Sequence, residues 1–302
     1  MTSASPSSRL AVETPSHSHC LFKPEGWGTT ESLEKLIARL VNFPTVPEIY
    51  NQVIEELAKE DPSMQLICDC IAQDPAMTSK ILHLVNSAAA GLAVKIATPM
   101  EAIFQLGVER TKSFLLAGHL MLHFEKSHCA GFSHEQLWGH SLAVGASART
   151  IAIAHTKDGK LAEAAFTAGL LHDVGKLLLA ANLPDIYSQV LRQTERRKIS
   201  VREAEFDVFD ASHAELAAVL LAGWGLPMSI LEAIAWHHTP EKSKDSSFSL
   251  LTAVHVANAI EHEKSAAQGQ AIMSPVDSNY LGRLDLRDCA KVWRQICGCR
   301  AE

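Results

Sequence analysis

The chain has 302 residues, room for about two domains at roughly 150 residues each, with 47% hydrophobic and 20% charged residues. With 27 basic against 34 acidic residues its formal charge is −7, which argues against a nucleic-acid or anionic-membrane partner, since both need a basic face. Mean hydropathy is +0.04. No apolar run approaching the ~20 residues of a membrane span stands out, and residues 1–30 lack the basic start and apolar stretch of a secretory signal.

Residues 1–30, rich in Ser and Pro, read as a flexible tail that includes His17 and His19. From Glu31 onward the apolar spacing is helical, and no strand alternation emerges. The helix starts are marked by capping signals. Thr45-Val46-Pro47-Glu48, Ser133…Gln136 and Ser212…Glu215 have the capping-box spacing. Asp61-Pro62, Asp74-Pro75 and Thr98-Pro99 put a side-chain acceptor before a proline that needs no amide partner. Helices are predicted over 31–41, 46–59, 62–73, 75–89, 99–106, 109–124, 134–155, 161–180, 184–197, 200–208, 213–223, 227–238, 249–262 and about 285–297. No repeat of fixed period is visible, so the expected fold is an irregular all-α globule rather than a solenoid.

The periodicity breaks at Lys126–Gly131, which suggests a boundary near 126–132. The resulting division is a tail over 1–30, a helical subdomain over 31–126, a helical bundle over 127–265 and an extension over 266–302. Seven cysteines, Cys20, Cys68, Cys70, Cys129, Cys289, Cys297 and Cys299, form no C-x-x-C pair. An odd count without a secretory signal fits reduced thiols in a cytoplasmic protein. Cys70, between Ile67 and Ile71, is expected to be a small buried residue. The densest basic run, Glu195-Arg196-Arg197-Lys198, reads as a solvated helix end.

Fifteen histidines are many for this length, and those in the second half fall on apolar helix faces. His140 shares a face with Leu137 and Val144, and His172-Asp173 follows the apolar run Ala168–Leu171. His213 opens a helix after Ser212, and His237-His238 closes one whose inner face holds Ile230 and Ile234. Asn258 lies with Leu251, Val254 and His255. Facing helices of a bundle build metal sites in this way, and imidazole with carboxylate suits Fe, Mn or Zn. A lone histidine on an apolar face is ordinarily a hydrogen-bonded core residue. It is the set that argues against independent accidents, and helical spacing alone does not say whether metal binds.

His172-Asp173-Val174-Gly175-Lys176 resembles the core motif of the HD phosphohydrolase superfamily, and the order His140, His172-Asp173, His213, His237-His238 resembles its HD-GYP branch. Phe43-Pro44-Thr45-Val46-Pro47, the run Asp74 to Ala88, Ala102-Ile103-Phe104-Gln105-Leu106-Gly107, Leu137-Trp138-Gly139-His140-Ser141 and Trp224-Gly225-Leu226-Pro227 resemble the HDOD family. That resemblance implies an N-terminal helical subdomain packed on an HD-like bundle. It also implies a role in bacterial signal transduction through a signalling protein or a nucleotide second messenger, without catalysis. Two departures from active HD-GYP enzymes support this: Thr239–Lys244 holds no Gly-Tyr-Pro, and Asn258 stands where the terminal Asp is expected. The alternative is a metal-dependent phosphohydrolase or cyclic-dinucleotide phosphodiesterase. In it His140, His172, Asp173 and Asn258 would hold one ion, His213, His237 and His238 a second, and Asp173 and Lys176 would be catalytic, Lys176 meeting a phosphate oxygen. If metal binds, lower affinity or a mononuclear centre is expected, because an amide oxygen is a weaker ligand than a carboxylate.

Overall fold

The computed structural model of the chain describes residues 30–87, 94–267 and 275–298, and every regular element among them is helical. The first half comprises α1 (Glu31–Ala38), α2 (Glu48–Leu57), α3 (Met64–Ala72), α4 (Pro75–Val85), α5 (Pro99–Leu106) and α6 (Val108–His123). The second comprises α7 (His134–Thr156), α8 (Gly159–Leu171), α9 (Val174–Asn182), α10 (Pro184–Arg197), α11 (Val201–Phe209), α12 (His213–Gly223), α13 (Met228–Trp236) and α14 (Leu250–Ala267). Two short helices follow, α15 (Ser278–Arg283) and α16 (Cys289–Ile296). Cys20, Cys299, His17, His19, Ala88 and nearly all of the 1–30 segment lie outside the described residues.

Several starts follow the capping chemistry. The Asp74 carboxylate accepts from the Ala76 and Met77 amides, Ser133 from Gln136, and Thr98 from Glu101. Two expected caps do not form. α2 begins at Glu48 behind Pro47 with no side-chain cap, because the preceding strap is held elsewhere: the Trp224 indole N–H donates to the Pro44 carbonyl at 3.1 Å. α3 begins at Met64 rather than at Pro62. Ser63 caps the Leu66 amide while its own N–H donates to the buried Glu56 carboxylate. Cys68, at 6% exposure, is the buried cysteine of its pair, and Cys70 is only half-buried. The face of α3 that packs inward carries residues 67, 68 and 71, which leaves Cys70 at its edge. The basic run is an exposed helix end, closed by Lys198 in the left-handed region.

The bundle is centred on α8, packed by α6, α7, α13 and α14. α7 and α8 cross at Gly145 and Gly169, so close that a Cβ on Gly169 would lie 2.7 Å from the Gly145 Cα. α6 ties the first half to α8 through the Phe114–Phe166 ring contact at 5.6 Å and the Ser113–Thr167 hydroxyl pair at 2.7 Å. α1 packs on α11 and α12, and Asn42 and Asn182 exchange two hydrogen bonds, so packing crosses the 126–132 loop at several places. α16 is fastened by the bidentate Arg294–Glu263 pair and by Trp293 against His155 and Phe248.

The continuous helix expected over 161–180 is two helices. α8 ends at Leu171, His172 and Asp173 form the turn, and α9 starts at Val174. The start of α9 abuts the start of α12, where a Cβ on Gly175 would lie 1.9 Å from the His213 carbonyl oxygen. A straight helix could not make that approach. The stretch Gly159–Asn182 is apolar and long enough to cross a membrane by composition, a feature the run-by-run reading of the sequence missed. It is broken at this turn, and 78% of its most apolar window is buried inside the protein. α15, capped by Asp277 at the Asn279 and Tyr280 amides, is not among the expected helices, and the last helix starts at Cys289 rather than near 285.

Gly175→Ala is expected to destabilise the fold by about 3 kcal/mol or more, because backbone rather than a movable side chain blocks the methyl. Gly139→Ala, in α7 with nothing within 4 Å of its Cβ position, is expected to stabilise by about 0.5–1 kcal/mol. Urea unfolding midpoints of the two variants check both signs.

Candidate metal centre

The turn between α8 and α9 aims both His172 and Asp173 at the bundle's centre. α12 contributes His213 from its first position, the turn after α13 carries His237 and His238, α7 supplies His140, and α14 supplies Asn258. His172, Asp173, His213, His237 and Asn258 are all at most 2% exposed. His140, Lys176 and His238 are half-buried at the edge.

Asp173 is the hub. Its Oδ1 lies 3.1 Å from His213 Nε2 and 3.9 Å from His237 Nε2. Its Oδ2 lies 3.4 Å from His172 Nε2, 3.9 Å from His140 Nε2 and 2.6 Å from Lys176 Nζ, which donates to it. His140 Nε2 lies 3.0 Å from Asn258 Oδ1, and His238 Nε2 lies 3.3 Å from His213 Nε2. The structure therefore gathers all eight residues singled out from the sequence into one cluster.

The tautomers follow from the partners. His172 Nδ1 faces the Gly169 carbonyl at 2.7 Å and His237 Nδ1 faces the Ile234 carbonyl at 2.6 Å. A carbonyl only accepts, so each Nδ1 carries the proton and each Nε2 of a neutral ring is a lone pair. His213 Nδ1 lies 2.5 Å from the Glu205 carboxylate, which fixes its ring the same way. Three lone pairs thus converge on a carboxylate. His172 Nε2, His237 Nε2 and Asp173 Oδ1 are buried without a hydrogen-bond partner; at 3.1 Å His213 is close to Oδ1 and presents it no donor while its ring is neutral. Each such orphan costs about 1–3 kcal/mol.

Electrostatics sharpen the picture. Burial pushes the His172 imidazolium down to about 3, and burial likewise holds His237 and His238 well below the ordinary histidine range. Burial alone would raise Asp173, but His172, Lys176 and His213 outweigh it and hold the carboxyl well below its usual range. Burial would lower His213 too, yet Glu205 and Asp173 raise it overall.

Three residues of the cluster escape a sequence reading. Glu205 is fully buried, with its carboxylate taking the Tyr187 hydroxyl at 2.9 Å, the His213 backbone N–H at 2.9 Å and the His213 ring. Its signal was its place four residues after Val201 and beside Ala204 on the apolar side of α11, masked by the charged neighbours Arg202, Glu203 and Asp207. Tyr187 gave none. His262, one turn after Asn258, packs against His140 with ring centroids 4.8 Å apart and the planes tilted by 46°. His255 is the counter-example: both nitrogens are engaged, with the His237 carbonyl and the Asp277 N–H, so it is a satisfied core residue.

The donor set fits a divalent ion. Asp173, His213, His237 and His238 offer ligand atoms within 4.8 Å of one another, and so do His140, His172 and Asp173. Ligands about 2.1 Å from a shared ion span at most about 4.2 Å, so small shifts would close either group. The Nδ1 contacts to carbonyls and a carboxylate are of the kind that orients histidines at metal sites.

A family model, the HDOD domain, matches residues 43–240. An uncharacterized protein of Treponema pallidum (strain Nichols) is 26% identical over 257 residues, 83% of this chain and 49% of that protein. Ribonuclease Y of Thermus thermophilus is 28% identical over 185 residues, 61% of this chain and 25% of that enzyme. The chain thus spans about half the length of the first relative and a quarter of the second. The crystal structure of an HDOD domain protein of unknown function from Geobacter sulfurreducens shares the fold, with a TM-score of 0.65 at 22% identity, covering 89% of this chain and 97% of that one. With helical architecture and a matched segment that covers more than half of its length, the chain belongs to the HDOD domain family.

Proposed function

We propose that this chain is a signalling module that acts by binding, and that its His–Asp centre holds a divalent metal ion as part of the fold rather than as a catalyst. One observation carries the reading: His172 Nε2, His237 Nε2 and Asp173 Oδ1 are orphaned, and each exposes less than 1 Å² to water. Structural metal sites are closed, whereas catalytic ones keep a position open for water or substrate. A bound ion would supply the positive charge toward which these lone pairs point; Fe, Mn and Zn all suit the donors. Lys176, the residue expected to meet a phosphate, is instead spent on Asp173 Oδ2, and Asn258 brings no charge. The partner is then a signalling protein or a nucleotide second messenger, recognised on the helical surface. The net charge of −7 argues against nucleic acid. The reduced thiols of Cys68, Cys70, Cys129 and Cys289 suit a reducing, cytoplasmic setting.

Phosphodiester hydrolysis is the second reading. It is favoured by the partly exposed rim of His140, His238 and Lys176 and by the relationship to ribonuclease Y.

Metal analysis of protein purified from iron- and manganese-supplemented cells is expected to find bound metal, absent from Asp173→Ala. Metal at a hundred times its Kd should add about 2.7 kcal/mol to wild-type stability, seen as a higher Tm that Asp173→Ala does not share. A metal-free, well-folded wild type would sink the reading. In a cyclic-dinucleotide panel the metal-loaded protein is expected to show no turnover. Turnover lost in Asp173→Ala would install the second reading instead.

A further inference from the structure

The two sides of the Asp173 carboxylate differ. On the Oδ2 side a cation is already present, the Lys176 ammonium at 2.6 Å, placed there by the first turn of α9. His140 and Asn258, both on this side, are bonded to each other at 3.0 Å, which leaves His172 Nε2, 3.4 Å from Oδ2, as the orphaned nitrogen here. Two neutral groups that satisfy one another have little to gain from an ion, and an ion would have to share Oδ2 with an ammonium group.

The Oδ1 side is built the other way. Asp173 Oδ1 and His237 Nε2 have no hydrogen-bond partner, and His213 Nε2 and His238 Nε2 share a hydrogen bond of 3.3 Å. Since Glu205 takes the Nδ1 proton of His213, its Nε2 lone pair faces Oδ1 at 3.1 Å. Two acceptors at that distance repel unless a positive charge lies between them. Behind them stands a support that extends past the ligands. Glu205 is 0% exposed; it grips both the backbone N–H and the ring of His213, and the Tyr187 hydroxyl at 2.9 Å fixes its other oxygen. Burying a carboxylate is costly, and this one is oriented wholly toward a single imidazole.

We infer that the chain takes one divalent ion rather than two, on the Oδ1 side among Asp173, His213, His237 and His238, with Glu205 as the positioning residue and Lys176 as the resident cation of the Oδ2 side. This rests on the metal reading above and departs from the two-ion and His140-based arrangements. Glu205 holds the His213 proton on Nδ1 and so keeps Nε2 available; a carboxylate behind a ligating histidine also raises its basicity. Lys176 neutralises the oxygen that a second ion would need.

The test is a Co²⁺ titration of the full-length protein, followed by visible absorption and closed by metal analysis of the dialysed complex. Wild type is expected to take up one equivalent. Glu205→Gln should weaken binding about 10–100-fold with its melting curve retained. Tyr187→Phe, which removes a single bond to Glu205, should weaken it less and stands in if Glu205→Gln does not fold. His140→Ala should cost less affinity than Glu205→Gln. Lys176→Gln combined with Asn258→Asp, which frees the Oδ2 side and restores its carboxylate, should admit a second equivalent. Two equivalents in wild type, affinity unchanged in a folded Glu205→Gln, or a greater loss in His140→Ala would each overturn the one-ion assignment and leave the metal reading standing. No uptake by wild type would overturn both.

Discussion

The buried carboxylate of Asp173 is the constraint around which this fold is arranged. An ionised group at 1% exposure is tolerated only where the surroundings return what water supplied. Here they do so from α7, α8, α9, α12 and α13 at once. The break between α8 and α9 turns the Asp173 side chain inward, the first turn of α9 brings Lys176 back to it, and the start of α12 comes close enough to place His213 beside it. Gly175 makes that last approach possible, because any side chain there would collide with the His213 carbonyl. Local backbone geometry and the polar centre are therefore a single feature. The apolar packing of α8 supplies most of the burial, but it does not choose where α8 must stop.

The same logic explains why the surrounding histidines differ in behaviour although they are similarly buried. His172 and His237 give their Nδ1 protons to carbonyls of their own helices, at Gly169 and Ile234. Neutral acceptors do little to offset burial, so both stay uncharged. His213 donates its Nδ1–H to Glu205 and faces Asp173, so it has a carboxylate on either side, and these raise its pKa above the ordinary histidine value despite complete burial. His255, with a carbonyl at one nitrogen and an amide at the other, is an ordinary core residue on the neighbouring face. Tautomer and partner separate the candidate ligands from the structural histidine; burial alone does not.

Much of this was legible in the sequence, in uneven measure. The caps at Asp74, Thr98 and Ser133 were readable because a short polar side chain before an apolar period has few other uses. The caps expected at Thr45 and Asp61 fail because tertiary contacts claim their surroundings: Trp224 bonds the strap at Pro44, and Glu56 draws the Ser63 amide into its own carboxylate. The break at His172-Asp173 was hidden inside a run that stays apolar and helix-favouring on both sides, and only the approach of α12, forty residues later, makes it necessary. The cluster itself could be anticipated from the polar residues interrupting apolar faces. Glu205 could not, because among Arg202, Glu203 and Asp207 it looks like one more solvated charge, and the hydrogen bonds that distinguish it run to residues 8 and 18 positions away.

Counting charge in the centre gives a further constraint. Asp173 and Glu205 bring two buried carboxylates, Lys176 brings one ammonium, and burial disfavours charge on His172, His237 and His238. With His213 neutral the centre is one positive charge short, and the nitrogens facing Asp173 Oδ1 are where a cation would sit. A proton on His213 and an ion bound at the same lone pair are the two ways to supply that charge, and they exclude one another at a single nitrogen. Without an ion a substrate phosphate would meet an excess of negative charge; with a divalent ion bound, the same sum comes to one positive charge. The closed packing of the orphaned atoms, rather than the charge, is then the feature that bears on whether such a centre joins helices or receives an anion.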